Sequence, residues 1–125
     1  MLSYRTTQSI IMVEKYRTVE AFRDHFYDFL SKQTQAVQDK VYWTIKLIEE
    51  VPRVSDKYLK RLEAIDGLYE IRIQFGGNIF RIFCFFDDGK LIILLNGFAK
   101  KTQKTPRREI ELALRLKDEY YAEKK

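Results

Sequence analysis

Two arginines, Arg72 and Arg81, sit nine positions apart inside runs that otherwise read as strands, LYEIRIQF and IFRIFCFF. A guanidinium presents a planar fork of donors that matches carboxylate or phosphate with two parallel hydrogen bonds. Five further cations crowd residues 100–108 (Lys100, Lys101, Lys104, Arg107 and Arg108) with no acid among them. Lys57, Lys60 and Arg61 stand just ahead of the first of the two strands. Such a set is the electrostatic footprint of a site for a polyanion. Each part also has a structural reading. The basic run would serve as a solvated helix start, and the arginines would be held by ion pairs, with Glu70 the nearest counter-charge. Other chemistry finds little support. His25 is the only histidine and has no catalytic partner near it in sequence, so it reads as an ordinary surface or boundary residue. The single cysteine, Cys84, alternates with Ile82 and Phe86 and reads as core, which excludes a disulfide framework and fits a reducing compartment. The sequence offers no metal-ligand set, so neither metal nor cofactor is expected.

The elements that must position these groups fit one domain over residues 1–125. Residues 1–11 form a dispensable extension if Met12 is the native start. Hydrophobic residues make up 46% and charged residues 33%, a globular composition. No apolar run approaches a membrane span and no secretory hydrophobic region opens the chain, so a cytoplasmic location is expected. The net charge of +5 is unevenly placed: residues 1–50 carry seven basic and seven acidic side chains, and residues 51–125 carry sixteen and eleven.

Residues 9–16 read as a short first strand. Over residues 18–31, Val19, Phe22, Phe26, Phe29 and Leu30 fall at helical spacing, which predicts a first helix. A second helix runs from Thr34, its N-cap, to Val51, and Pro52 stops it. Val37, Val41, Ile45 and Ile48 form its apolar stripe, widened by Trp43, Leu47 and Val51. The short connection between the helices predicts an antiparallel hairpin. Residues 55–65 suggest a short helix or helical turn, with Tyr58, Leu59 and Leu62 inward and Lys57, Lys60 and Arg61 outward. Three strands follow, joined at Gly76-Gly77 and Asp88-Gly89. Thr105-Pro106 then opens a last helix with an apolar stripe of Ile110, Ala113, Leu114, Leu116 and Tyr120.

Two-residue turns at both hairpins would fix the register. Phe75 then pairs with Asn78, Arg72 faces Arg81, and Arg81 faces Asn96, giving a row across three strands that points toward Lys100 and Lys101. Tyr69, Ile71, Ile73, Phe75, Phe80, Ile82, Cys84, Phe86, Leu91, Ile93 and Leu95 would share the opposite, apolar face. Like charges directly opposite each other destabilise a sheet, so the arginines require counter-charge or a bound anion. Phe83, Phe85, Ile92 and Leu94 would then lie on the arginine face, as a second core under the last helix or as a protein contact.

The segments Leu68 to Arg72, Phe80 to Ile82 and Leu95 to Pro106 carry a family likeness. The chain resembles the RelE/ParE superfamily of toxins, and most nearly its phage-derived, HigB-like branch, over most of residues 12–122. The K-K-T-Q-K-T-P run is the most specific part. The resemblance implies an α+β, RelE-like fold, with two N-terminal helices on a small antiparallel sheet of about four strands and a C-terminal helix. It also implies a toxin of a type II toxin–antitoxin system that cuts mRNA, often at the ribosome, and is held by a helix-turn-helix antitoxin. By position, Arg72 and Arg81 match sheet residues that contact the RNA backbone, and Lys100 and Lys101 match the basic segment after the last strand. Many relatives place His where this chain has Asn96, so a proton-transfer group is missing there.

On that resemblance the expected chemistry is metal-independent attack of a 2′-OH on the adjacent phosphate. Arg72 and Arg81 would meet the charge of the transition state, and Lys100 or Lys101 would move a proton. Asn96, Lys104, Lys57, Lys60, Arg61 and Arg107 would hold substrate. Two rivals stand beside this: a ParE-like gyrase poison with the same fold, and a non-catalytic module that binds nucleic acid or antitoxin.

Overall fold

The computed structural model describes residues 15–124. Eight elements follow one another: β1 (Thr18–Ala21), α1 (His25–Ser31), α2 (Gln35–Glu50), β2 (Leu59–Arg61), β3 (Tyr69–Phe75), β4 (Asn78–Asp87), β5 (Leu91–Ala99) and α3 (Arg107–Lys124). The expected α+β architecture is present, with two N-terminal helices, a sheet and a C-terminal helix. The sheet has five strands rather than about four, in the order β1-β5-β4-β3-β2. It is mixed rather than antiparallel, because β1 runs parallel to β5.

The N-terminal elements differ most from the sequence reading. A strand at 9–16 lies outside the described residues except for Lys15 and Tyr16, which belong to no strand. The helix expected from residue 18 begins only at His25, after β1. Val19 packs into one core and Phe22 into the other, so the first two positions of the apparent helical stripe are two faces of an extended segment, while Phe26, Phe29 and Leu30 are buried from the helix. Arg23 breaks the segment with a φ of 58°. α2 begins as expected: the Thr34 side chain accepts from Val37 N at 3.2 Å, a cap of about 1 kcal/mol. Its far end is closed by Arg17, which donates to the carbonyls of Ile48 and Val51. Residues 55–65 make a turn on Ser55 and then the short strand β2.

Two cores sandwich the sheet. On one face, α1 and α2 bring Phe26, Phe29, Val41 and Ile48 onto Ile71, Ile73, Ile82, Cys84, Ile92 and Leu94. On the other, α3 brings Ala113 and Leu116 onto Leu68, Phe83, Phe85, Ile93, Leu95 and Phe98. Cys84 is core, as its spacing predicts, and burial pushes its thiol up, away from thiolate chemistry. The strand β5 is turned over relative to expectation. Asp87 pairs with Leu91 around a three-residue loop in which Asp88 and Gly89 take positive φ (60° and 71°). That one-residue change puts Ile92 and Leu94 under the first two helices and Leu91, Ile93 and Leu95 under the last. Phe75 is 43% exposed rather than inward.

Candidate phosphate-binding cleft

The hairpin of β3 and β4 sets the centre of the site. Gly76 takes a φ of 60°, the left-handed region that glycine enters without cost, and Phe75 pairs with Asn78. Arg72 therefore faces Arg81, as the turn chemistry predicts. Glu70, two residues back along the same face, lies between them. Its Oε2 is 3.4 Å from Arg72 Nε and 3.5 Å from Arg81 Nε. Glu70 and Arg81 are each 6% exposed, whereas Arg72 is only half-buried.

Two guanidiniums thus share one carboxylate, and a unit of positive charge is left over. Arg81 feels this most. Burial lowers its pKa, Glu70 opposes that shift, and Arg72 adds to it. Arg81 Nη1 donates to the carbonyl of Phe80 at 3.1 Å, but its buried Nε, in ion-pair range of Glu70 at 3.5 Å, has no hydrogen-bond partner among the described residues. A buried cation with an unsatisfied donor is costly unless an anion completes it. Here the buried pair borders open space.

That space is a cleft of about 790 Å³, walled by Arg72, Arg81, the β3–β4 turn and residues 99–103. Lys100 N donates to the carbonyl of Ile79 at 2.8 Å, which holds the basic loop against β4. Lys100 and Lys101 accordingly line the cleft with both arginines. A smaller cavity of about 210 Å³ shares Arg72 and Arg81 and is bounded by Lys57, Tyr58 and Lys40. A third, of about 370 Å³, joins Lys60 and Arg61 to Glu70, Arg72 and Lys100. Arg72 borders all three spaces, so these cations surround one region.

Three expected residues lie elsewhere. Lys104 and Arg107 line a separate, more apolar groove with Ile65, Pro106, Ile110 and Leu114. Asn96 does not face Arg81, because the three-residue β4–β5 loop and a register shift between Ile82 and Cys84 together bring Phe98 opposite Arg81 instead. Asn96 is buried, and its Nδ2 donates to the backbone carbonyl and Oε1 of Glu109, both at 3.1 Å. It ties β5 to the start of α3 and is not among the residues lining the cleft. Sequence reasoning missed Lys40, which reaches the site from α2 and carries no local signal of that role. It also placed Trp43 on the apolar stripe of α2, yet Trp43 is 48% exposed beside the smaller cavity's Tyr58. Among the described residues, no group of three or more His, Cys, Asp or Glu is placed to hold a metal ion, and no helix is long and apolar enough to cross a membrane.

Residues 28–118 match the family model described as phage-derived protein Gp49-like (DUF891). The chain belongs to this family. The matched part of the Gp49-like chain runs from the middle of α1 into α3 and contains every residue of the cleft. No curated protein matches it.

Proposed function

We propose that this Gp49-like protein is the toxin of a type II toxin–antitoxin pair, and that it is an endoribonuclease that cuts mRNA at the ribosome. The observation that carries the reading is the charge balance at the centre of the sheet. Among the described residues, Glu70 is the one carboxylate that Arg72 and Arg81 share, and both open onto a cleft lined by Lys100 and Lys101. Membership of the phage-derived Gp49-like family is compatible with a toxin of this kind.

In the proposed reaction, the 2′-oxygen attacks the adjacent phosphorus, loses its proton, and the bond from phosphorus to the 5′-oxygen breaks. The leaving oxygen takes up a proton, which yields a cyclic phosphate and a 5′-hydroxyl. Charge grows on the non-bridging oxygens as the phosphorus becomes pentacoordinate. Arg81, fixed by burial and by its bond to Phe80, and Arg72, nearer to solvent, donate to those oxygens. Preorganised donors of this type contribute roughly 3–4 kcal/mol each to transition-state stabilisation. Lys100 or Lys101 moves a proton. Asn96, committed to Glu109, takes no direct part. Lys57, Lys60, Arg61 and Lys40 guide the flanking backbone, and Lys104 and Arg107 contact more distant phosphates. The ribosome supplies part of the alignment, and a helix-turn-helix antitoxin holds the protein in check.

The test is induced expression in bacteria of wild type and of Arg81→Ala. Growth arrest with mRNA cleavage by wild type alone supports the assignment. Equal cleavage by both, with Arg81→Ala folded, removes Arg81 from the chemistry. DNA breaks with intact mRNA replace the proposal with a gyrase poison.

A further inference from the structure

Trp43 and Tyr58 form an aromatic pair that neither core absorbs. Their ring centroids are 5.7 Å apart in an edge-to-face arrangement, and Trp43 is 48% exposed. Each ring carries a cation. Lys40 Nζ lies 4.7 Å from the Trp43 centroid and Lys57 Nζ 5.5 Å from that of Tyr58. Tyr58 and both lysines line the smaller cavity that Arg72 and Arg81 border from the other side. The backbone explains the opening. The β2–β3 ladder stops at Leu59 and Ile71, with one further bond from Arg72 N to Tyr58 O, so Tyr58 stands where the edge of β3 becomes free.

We propose that Trp43 and Tyr58 are a stacking platform for the bases of a single-stranded RNA whose phosphate lies at Arg72 and Arg81. The proposal rests on the reading of the cleft as an RNA site, but not on turnover there. Among the described residues, four cations and no acid line the cavity beside the rings. A simple polyanion would use those cations and leave the rings idle. Single-stranded RNA uses both, because every base has a flat face and every linkage a charge. Cation–π contacts at exposed rings are weak, so Lys40 and Lys57 can leave the rings to the bases and turn to neighbouring phosphates.

Trp43 is the only tryptophan, so its emission reports on the platform directly. The experiment titrates the purified protein with a 2′-O-methyl oligoadenylate, which binds but cannot be cleaved, and separately with inorganic polyphosphate of equal charge. Quenching by the oligoadenylate and not by polyphosphate is expected. Tyr58→Leu should weaken oligoadenylate binding about tenfold, within the range of a lost base–aromatic stack, and Tyr58→Phe should keep it. Equal quenching by polyphosphate overturns the proposal, as does unchanged binding by a Tyr58→Leu protein that melts like wild type. Should Tyr58→Leu not fold, the wild-type comparison of the two ligands still decides. Base-dependent quenching without mRNA cleavage would sink the nuclease and keep the platform. Cleavage without base-dependent quenching would do the reverse.

Discussion

Arg72 and Arg81 face each other directly across β3 and β4, and both Nε atoms reach the same oxygen of Glu70, at 3.4 and 3.5 Å. Among the described residues, neither arginine has a carboxylate of its own there. Replacing Glu70 by Gln keeps the shape and removes the charge, leaving buried Arg81 uncompensated. Loss of one partner of a buried pair costs about 3–5 kcal/mol, and the half-exposed Arg72 side should bring this nearer 2–3 kcal/mol. Denaturant unfolding measures it. A Glu70→Gln protein as stable as wild type would refute the shared-carboxylate account.

The two arginines should not be equivalent to lysine. Arg81→Lys keeps the charge but loses the two-pronged donor and its fixed plane. On the proposed nuclease reading, RNA turnover is expected to fall about 10²-fold in Arg81→Ala, as for loss of a preorganised donor, and to recover only in part in Arg81→Lys. Full recovery would show that charge alone suffices.

Gly97 has a packing role. A Cβ there would lie 2.5–2.9 Å from ring carbons of Phe29, the α1 residue packed over β5. Gly97→Val therefore forces α1 away from the sheet, and overpacking of this kind costs about 1–3 kcal/mol. A lowered melting temperature is expected, with the proposed RNA binding retained by the folded fraction because Gly97 lies on the face opposite the arginines. An unchanged melting temperature would contradict the close approach.

The end of α3 is fastened by Asp87, which accepts from both Tyr120 Oη and Lys124 Nζ at 2.7 Å. Hydrogen bonds from Lys124 and Tyr120 hold the Asp87 carboxyl below the usual carboxylate range. The Asp87 hydrogen bond pushes Tyr120 up to about 12. The lowered acid contributes fully above its unfolded pKa of about 4 and less as pH falls through its folded value. The raised phenol contributes fully below its unfolded pKa of about 10 and less as pH rises toward its folded value. The melting-temperature advantage of wild type over Asp87→Asn should thus be flat between about pH 5 and 9 and shrink on both sides. A constant difference across the whole range would rule the fastening out.

The first hairpin was legible because Gly76-Gly77 admits one tight turn, and every β3–β4 pairing follows from it. The second was not, for two physical reasons. Asp88-Gly89 suits a two-residue turn, but the loop takes in Lys90 as well. β5 is also buried on both faces, so Ile92, Ile93, Leu94 and Leu95 show no alternation to correct the error. The cleft was legible through its arginines and lysines, since charges inside apolar strands stand out. Lys40 and Trp43 were hidden: on α2 a cation and an aromatic beside an apolar stripe read as an ordinary helix, and only the tertiary fold brings them to Tyr58.

The parallel pairing of β1 with β5 joins Thr18 to Leu91 and Ala21 to Leu94, residues far apart in the sequence. A chain leaving the ribosome therefore cannot complete its sheet until β5 has emerged, and the lysines of the cleft come later still. Long-range closure of this kind slows folding. Synthesis and folding are thereby coupled, and most of the polypeptide must be finished before the cleft can exist. Under the proposed function, the delay would give an antitoxin time to meet its target before that target is armed.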